Sequence, residues 1–257
     1  MTGYQRIEAA LRAAEGPALA AFLTGGYPDM GRFTALLREA CEAADVVEIG
    51  VPFSDPMADG VTIQRSSRAA LEAGATLAGI LDAVEAMRPR PTAPLLLMSY
   101  LNPLLAFGLE RLVARSAEVG VGALIIPDLP LEEGEGLRAL AEAAGVGVVQ
   151  LVTPVTPPER LARLCAASRG FVYAVTVTGV TGGSDSSVSS VSGDVGAYLD
   201  RVRALSRSPV MAGFGVRDAA RVAALGAHVD GVIVGSALID AVDRGESPAD
   251  FLRGLRP

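Results

Sequence analysis

The stretch VGVVQLVTPVTPPERLARLCAASRGFVYAV, residues 146–175, holds the pattern that decides the fold. An apolar run at 146–152 gives way to a short connection rich in proline and threonine, then to a segment at 158–167 with leucine at helical spacing, then to a second apolar run at 170–175. Runs that are apolar throughout, rather than alternating, suit parallel strands covered on both faces, with the helix as crossover. The same rhythm extends in both directions. Further strands are expected at 18–24, 46–51, 94–99, 123–127, 209–212 and 230–234, with helices at 32–43, 110–119, 133–143, 195–205 and 218–225. Eight strands alternating with helices predict an α/β fold of the (β/α)8 TIM-barrel type, with a doubly wound open sheet as the alternative. An extra N-terminal helix, with Tyr4, Ile7 and Leu11 on one face, is expected to close the bottom of the barrel. No linker interrupts the pattern, so residues 1–257 read as a single domain. The serine-rich stretch GGSDSSVSSVSG at 182–193 lacks apolar anchors and predicts a mobile loop.

Composition excludes several chemistries. The chain has 257 residues, half of them apolar, with 29 acidic and 22 basic side chains and a formal charge of −7. Every basic residue is arginine; there is no lysine, and His228 is the single histidine. Without lysine there is no Schiff-base aldolase, no covalently held pyridoxal phosphate and no P-loop. One histidine rules out metal sites built from two or three, so no metal is expected. An acidic chain without basic clusters argues against nucleic acid as a partner. Cys41 and Cys165 sit in separate alanine-rich helical segments and read as core residues of a reducing compartment. No apolar stretch reaches the roughly 20 residues that span a bilayer, so neither a membrane nor a signal segment is expected and the cytoplasm is the expected location.

In such a barrel the chemistry sits at the C-terminal ends of the strands and in the loops beyond them. Glu48 lies within the apolar run VVEIGV, where alternation puts it on one face with Val46 and Gly50. If that face is the interior, desolvation raises its pKa and suits it to giving and taking a proton; the alternative is an ion pair with an inward arginine. The next segment, PFSDPMADGVTIQ at 52–64, offers Asp59 as a second acid, or as a turn residue in which Asp59 or Thr62 caps the following helix. Glycine-rich strand ends occur at 179–183, 213–215 and 234–237, and the last two follow the seventh and eighth strands, where backbone N–H groups commonly hold phosphate. Tyr173 alternates with Phe171 and Val175, which reads first as core packing, while its hydroxyl needs a partner and can orient Glu48. His228, just ahead of the eighth strand, reads as structural.

The run EIGVPFSDPMADGVTIQ at 48–64 resembles the signature of the tryptophan synthase alpha chain family. The likeness continues through AFLTGGYPD at 21–29, YLNPLLAFG at 100–108, IPDLP at 126–130, FVYAVTVTGVTG at 171–182, GFG at 213–215 and VGSAL at 234–238. The resemblance implies a barrel that cleaves indole-3-glycerol phosphate, a small phosphorylated substrate, to indole and glyceraldehyde 3-phosphate in tryptophan biosynthesis. It implies a beta-chain partner in an alpha2beta2 heterotetramer, and no cofactor in this chain, since pyridoxal phosphate belongs to the partner. By motif, Glu48 falls on the acid–base glutamate and Asp59 on the aspartate that meets the indole N–H. Tyr173 falls on a supporting tyrosine. Phe22, Tyr100, Thr181 and Phe214 fall on substrate-binding positions. Gly182, Gly213, Gly215, Gly235 and Ser236 fall on the phosphate site. The sequence departs from the family in the stretch after GVTG, at Val61, where proline is usual, and at Arg217, where a small hydroxyl residue commonly caps the next helix. A stand-alone lyase, or a weakly catalytic partner that activates a beta-type chain, remains as the alternative.

Overall fold

A computed structural model of the chain describes residues 1–176, 193–213 and 215–257. Among them, eight parallel strands close into one barrel in sequence order: β1 (Ala18–Thr24), β2 (Val46–Gly50), β3 (Leu95–Met98), β4 (Val121–Ile125), β5 (Gly147–Val152), β6 (Val172–Val175), β7 (Val210–Gly213) and β8 (Gly231–Val234). Around them run α1 (Gly3–Ala13), α2 (Met30–Cys41), α3 (Val61–Glu72), α4 (Leu77–Ala86), α5 (Leu101–Phe107), α6 (Leu109–Val119), α7 (Glu135–Ala143), α8 (Pro158–Ala167), α9 (Gly193–Leu205), α10 (Ala219–Gly226), α11 (Ser236–Asp243) and α12 (Pro248–Leu255). This is the (β/α)8 TIM barrel expected. The open sheet is excluded by the pairing of β1 with β8, in which Ala18 lies opposite Gly231 and Ala21 opposite Val234.

Differences from the sequence reading are local. Strand β4 begins at Val121, ahead of expectation, and ends at Ile125, because Pro127 has no N–H to continue the ladder and the Ile126 carbonyl instead accepts the Leu129 N–H in a turn. The register slips between Leu95 and Leu96, leaving Gly122 as the extra residue. Only glycine fits there, since a Cβ on Gly122 would stand 2.6 Å from the Gly3 carbonyl oxygen.

Helix α1 forms for reasons the sequence carries. Thr2 and Gln5 make a reciprocal capping box, and Ile7 and Leu11 lie on one face. That face closes the barrel floor: both side chains are buried in the inner cluster with Val46, Leu96, Phe171 and Met211, each contributing about 1.5–3 kcal/mol. Glu8 fixes the helix in place by accepting from the Gly170 N–H and the Ser208 hydroxyl. A second apolar layer, holding Val47, Ile49, Phe33 and Leu37, fills the space between strands and helices. Cys41 and Cys165 are free and buried, as expected. His228 takes the structural role: its Nδ1 lies 2.9 Å from Asp200 Oδ1, and its ring packs against Gly196. No helix among the described residues is long and apolar enough to cross a membrane.

Two aspartates repeat one device at the floor. Asp45 donates its N–H to the Leu19 carbonyl and accepts the Leu19 N–H at 2.7 Å, and Asp230 does the same with Val210. Arg256, near the C-terminus, seals the first of these by donating to Asp45 Oδ2 and to the Ala43 carbonyl. Removing Asp45 leaves the N–H of the fully buried Leu19 without its acceptor. Asp45→Ala is therefore expected to cost about 2–3 kcal/mol in chemical denaturation and Asp45→Asn distinctly less; equal costs would contradict this account of the floor.

Candidate active site

Strand β2 carries the central group. Val46 sits in the inner cluster while Val47 and Ile49 belong to the outer layer, so Glu48, in step with Val46, faces into the barrel. The barrel register sets Glu48 between Phe22 on β1 and Leu96 on β3. Its exposure is 1%, and neither carboxyl oxygen has a hydrogen-bond partner among the described residues. The alternative of an inward arginine is therefore not what the interior holds. Burial first, and the negative charge of Asp59 second, push Glu48 up to about 8.

Asp59 lies in the turn between β2 and α3. Neither it nor Thr62 caps the helix: the cap is Gly60, without a side-chain bond. The carboxylate instead takes a hydrogen bond from the Tyr100 hydroxyl, which also accepts the Ala58 N–H at 2.9 Å. Its main chain is held as well, by the Gln64 amide donating to the Asp59 carbonyl at 2.8 Å. Burial raises Asp59 to about 6 and the Tyr100 bond opposes the rise. Tyr100 is fixed in turn by Asp128, which accepts the Leu101 N–H at the start of α5, and by the ring of Phe53 at 5.3 Å between centroids. Tyr100 was expected only as a pocket wall; its hydroxyl makes it a partner of the acid. Gln64, Asp128 and Phe53 were not singled out from sequence, since nothing in a linear reading marks which loop residue meets which.

Glycines make room for the aromatic rings of this layer. A Cβ on Gly213 would fall 2.3 Å from the Tyr173 ring, and one on Gly50 would fall 2.4 Å from the Phe22 ring. Gly213 thus has a packing reason to be glycine beside the phosphate role expected of it, and Gly50 is a further participant, readable only once Phe22 is known to be its neighbour. Tyr173 and Phe22 are both buried. Burial foremost, then the charges of Glu48 and Asp59, raise the Tyr173 hydroxyl well above its ordinary range, so it stays protonated.

Those of the remaining expected residues that are described gather at the same barrel end. The Gly213 carbonyl accepts from both the N–H and the hydroxyl of Thr176, joining β6 to β7. Gly215 follows with φ +77°, a left-handed conformation that favours glycine. Gly235 is the N-cap of α11 and Ser236 its first residue, and no side chain caps that end. First-turn N–H groups of a helix lack intrahelical partners, which suits them to an anion. Arg217 leaves no gap, because Asp218 caps α10 through the Arg221 N–H. Thr181, Gly182 and Phe214, with the serine-rich stretch at 182–192, lie outside the described residues. Among the described residues no cluster of His, Cys, Asp and Glu could hold a metal ion.

Tyr100→Phe removes the bond that holds Asp59 down. The expected result is an Asp59 titration moved above 6, read by carbon-13 NMR of labelled aspartate carboxyls; an unmoved titration would contradict the assigned contact.

Relatives carry the same architecture over nearly their whole length. The sequence pattern of the tryptophan synthase alpha chain family matches residues 9–253. The tryptophan synthase alpha chain of Deinococcus radiodurans is 41% identical over 246 residues, covering 95% of this chain and 90% of that one. That of Chloroflexus aurantiacus is 45% identical over 239 residues, covering 92% and 88%. Among solved structures, a chain of Mycobacterium tuberculosis tryptophan synthase superimposes with a TM-score of 0.86 at 35% identity, covering 99% of this chain and 98% of that one. The alpha subunit of Legionella pneumophila tryptophan synthase gives 0.86 at 30% identity, covering 100% and 97%. The chain belongs to the tryptophan synthase alpha chain family.

Proposed function

We propose that this chain cleaves indole-3-glycerol phosphate to indole and glyceraldehyde 3-phosphate by acid–base catalysis, as a single barrel domain acting as the alpha subunit of a cytoplasmic tryptophan synthase. The observation that carries the reading is Glu48, a buried carboxyl without a hydrogen-bond partner among the described residues, raised to about 8 and thus protonated at neutral pH. Glu48 gives its proton to C3 of the indole ring, and the positive charge that develops at the ring nitrogen is stabilised by ionised Asp59. Glu48 then takes the proton of the glycerol hydroxyl next to the ring. The carbon–carbon bond breaks, its electron pair returns to the indole, and the hydroxyl carbon becomes the aldehyde. Glu48 ends protonated, as it began.

Phe22 and Tyr100 flank the ring, and Tyr173 supports the glutamate. With no lysine in the chain, the phosphate is held by backbone groups at Gly213, Gly215, Gly235 and Ser236, together with Gly182, and Thr181 and Phe214 complete the substrate pocket. The chain works without a cofactor of its own; pyridoxal phosphate belongs to the beta chain. Docking of that partner in an alpha2beta2 assembly is supported by the loop carrying Asp59, where Met57 and Val61 expose apolar side chains, 79% and 64% accessible.

The test is release of glyceraldehyde 3-phosphate by the purified chain, with and without a tryptophan synthase beta chain. Stimulation by the beta chain is expected; fast cleavage without stimulation would mean a stand-alone lyase, and no cleavage in either case would overturn the reading. Glu48→Gln and Asp59→Asn should each lose about 10²–10⁴ in turnover while folding normally. The profile of kcat/KM against pH should be a bell. It falls below about 6 as Asp59 takes a proton and above about 8 as Glu48 loses one; activity still rising beyond that upper limit would contradict Glu48 as the proton donor.

A further inference from the structure

We propose that Thr62, Arg65, Asp240 and Asp243 form a brace between the helix that follows Asp59 and the helix assigned to the substrate phosphate, and that they act as positioning residues for Asp59. The inference rests on the functional reading above and extends it to residues that touch neither substrate nor acid. Helix α3 begins two residues after Asp59, and α11 begins at Ser236. Between them, the Thr62 hydroxyl donates to Asp240 Oδ1 at 3.3 Å. Arg65 hydrogen-bonds Asp243 Oδ2 and lies 3.6 Å from Asp240 Oδ1. The Tyr27 hydroxyl, from the loop after β1, donates to Asp243 Oδ1 at 2.5 Å.

The other side of α3 is fixed too. The buried hydroxyls of Thr24 and Ser66 share a hydrogen bond of 2.7 Å, which ties α3 to the end of β1. From the same helix, Gln64 holds the Asp59 carbonyl. Asp59 therefore hangs from a helix clamped between β1 and α11. Arg65 is more than half exposed, and partly exposed ion pairs add little to folding stability. What the brace does set is a distance. The carboxylate of Asp59 must meet the indole nitrogen while the phosphate at the other end of the same substrate meets Ser236, so the separation of α3 and α11 decides whether both contacts form together. Misplacing a reacting group by about 1 Å can cost up to about 10²-fold in rate.

Thr62→Val keeps the side-chain shape and removes the donor. The expected result, with indole-3-glycerol phosphate as probe, is a kcat lowered about tenfold and a KM within about twofold of wild type, with an unchanged thermal midpoint. Thr62→Ser, which keeps the hydroxyl, should restore kcat. In the Asp59→Asn background Thr62→Val should add nothing further, because its effect passes through Asp59. Arg65→Gln, at an exposed position, should show the same split in kcat, and it carries the test if Thr62→Val does not fold. Wild-type kcat in both variants, or an equal loss in the Asp59→Asn background, would overturn the brace while leaving the functional reading in place. A wild-type chain inactive with and without the beta chain would overturn both.

Discussion

Glu48 is a carboxyl buried inside the barrel with no hydrogen bond to either oxygen among the described residues, and the remaining features of the site follow from that enclosure. Ionising it there is costly, so the group keeps its proton up to about 8. Because this pKa stands above its unfolded value, the unfolded chain releases the proton first as pH rises. Stability is then highest below the ordinary carboxylate range and falls until the folded group ionises near 8. A protein that needed Glu48 only for folding would gain from replacing it. The same strain makes it a strong candidate for proton transfer, since it is neutral when a basic ring carbon must be protonated and close enough to its pKa to take a proton back.

The environment separates the two acids. Glu48 is raised by burial and by a neighbouring negative charge, whereas Asp59 has a hydroxyl from Tyr100 and titrates lower, at about 6. Between these values one carboxyl is protonated and the other ionised, the division of labour that a proton donor and a charge stabiliser require. Tyr173 remains protonated between them. The glycines opposite Tyr173 and Phe22 let the rings approach the strands at distances no side chain could share, so the pocket is shaped by absences as much as by groups.

Much of this was legible in the sequence because the signals were periodic or singular. Continuous apolar runs located all eight strands, and a lone carboxylate within one of them marked Glu48. The Thr2–Gln5 cap and the Ile7–Leu11 face likewise read directly as a floor helix. The roles of Tyr100, Gly50, Gln64 and Asp128 were hidden for one reason: each depends on which loop folds over which strand end. Tyr100 reaches Asp59 across 41 residues of chain, and Asp128 reaches Leu101 from the following βα unit. The residue pattern alone left open whether Asp59 caps a helix, and the family resemblance assigned it to the site; Gly60 at the cap position excludes the capping alternative. The slip at Gly122 came from the approach of Gly3, a contact no local pattern carries.

At neutral pH the barrel holds Glu48 protonated. Infrared difference spectra between the wild-type chain and Glu48→Gln, recorded across pH, would follow the carboxylic acid band of this one group. The account predicts that the band persists through pH 7 and disappears around 8. A band already lost in the ordinary carboxylate range near 4.5 would contradict it.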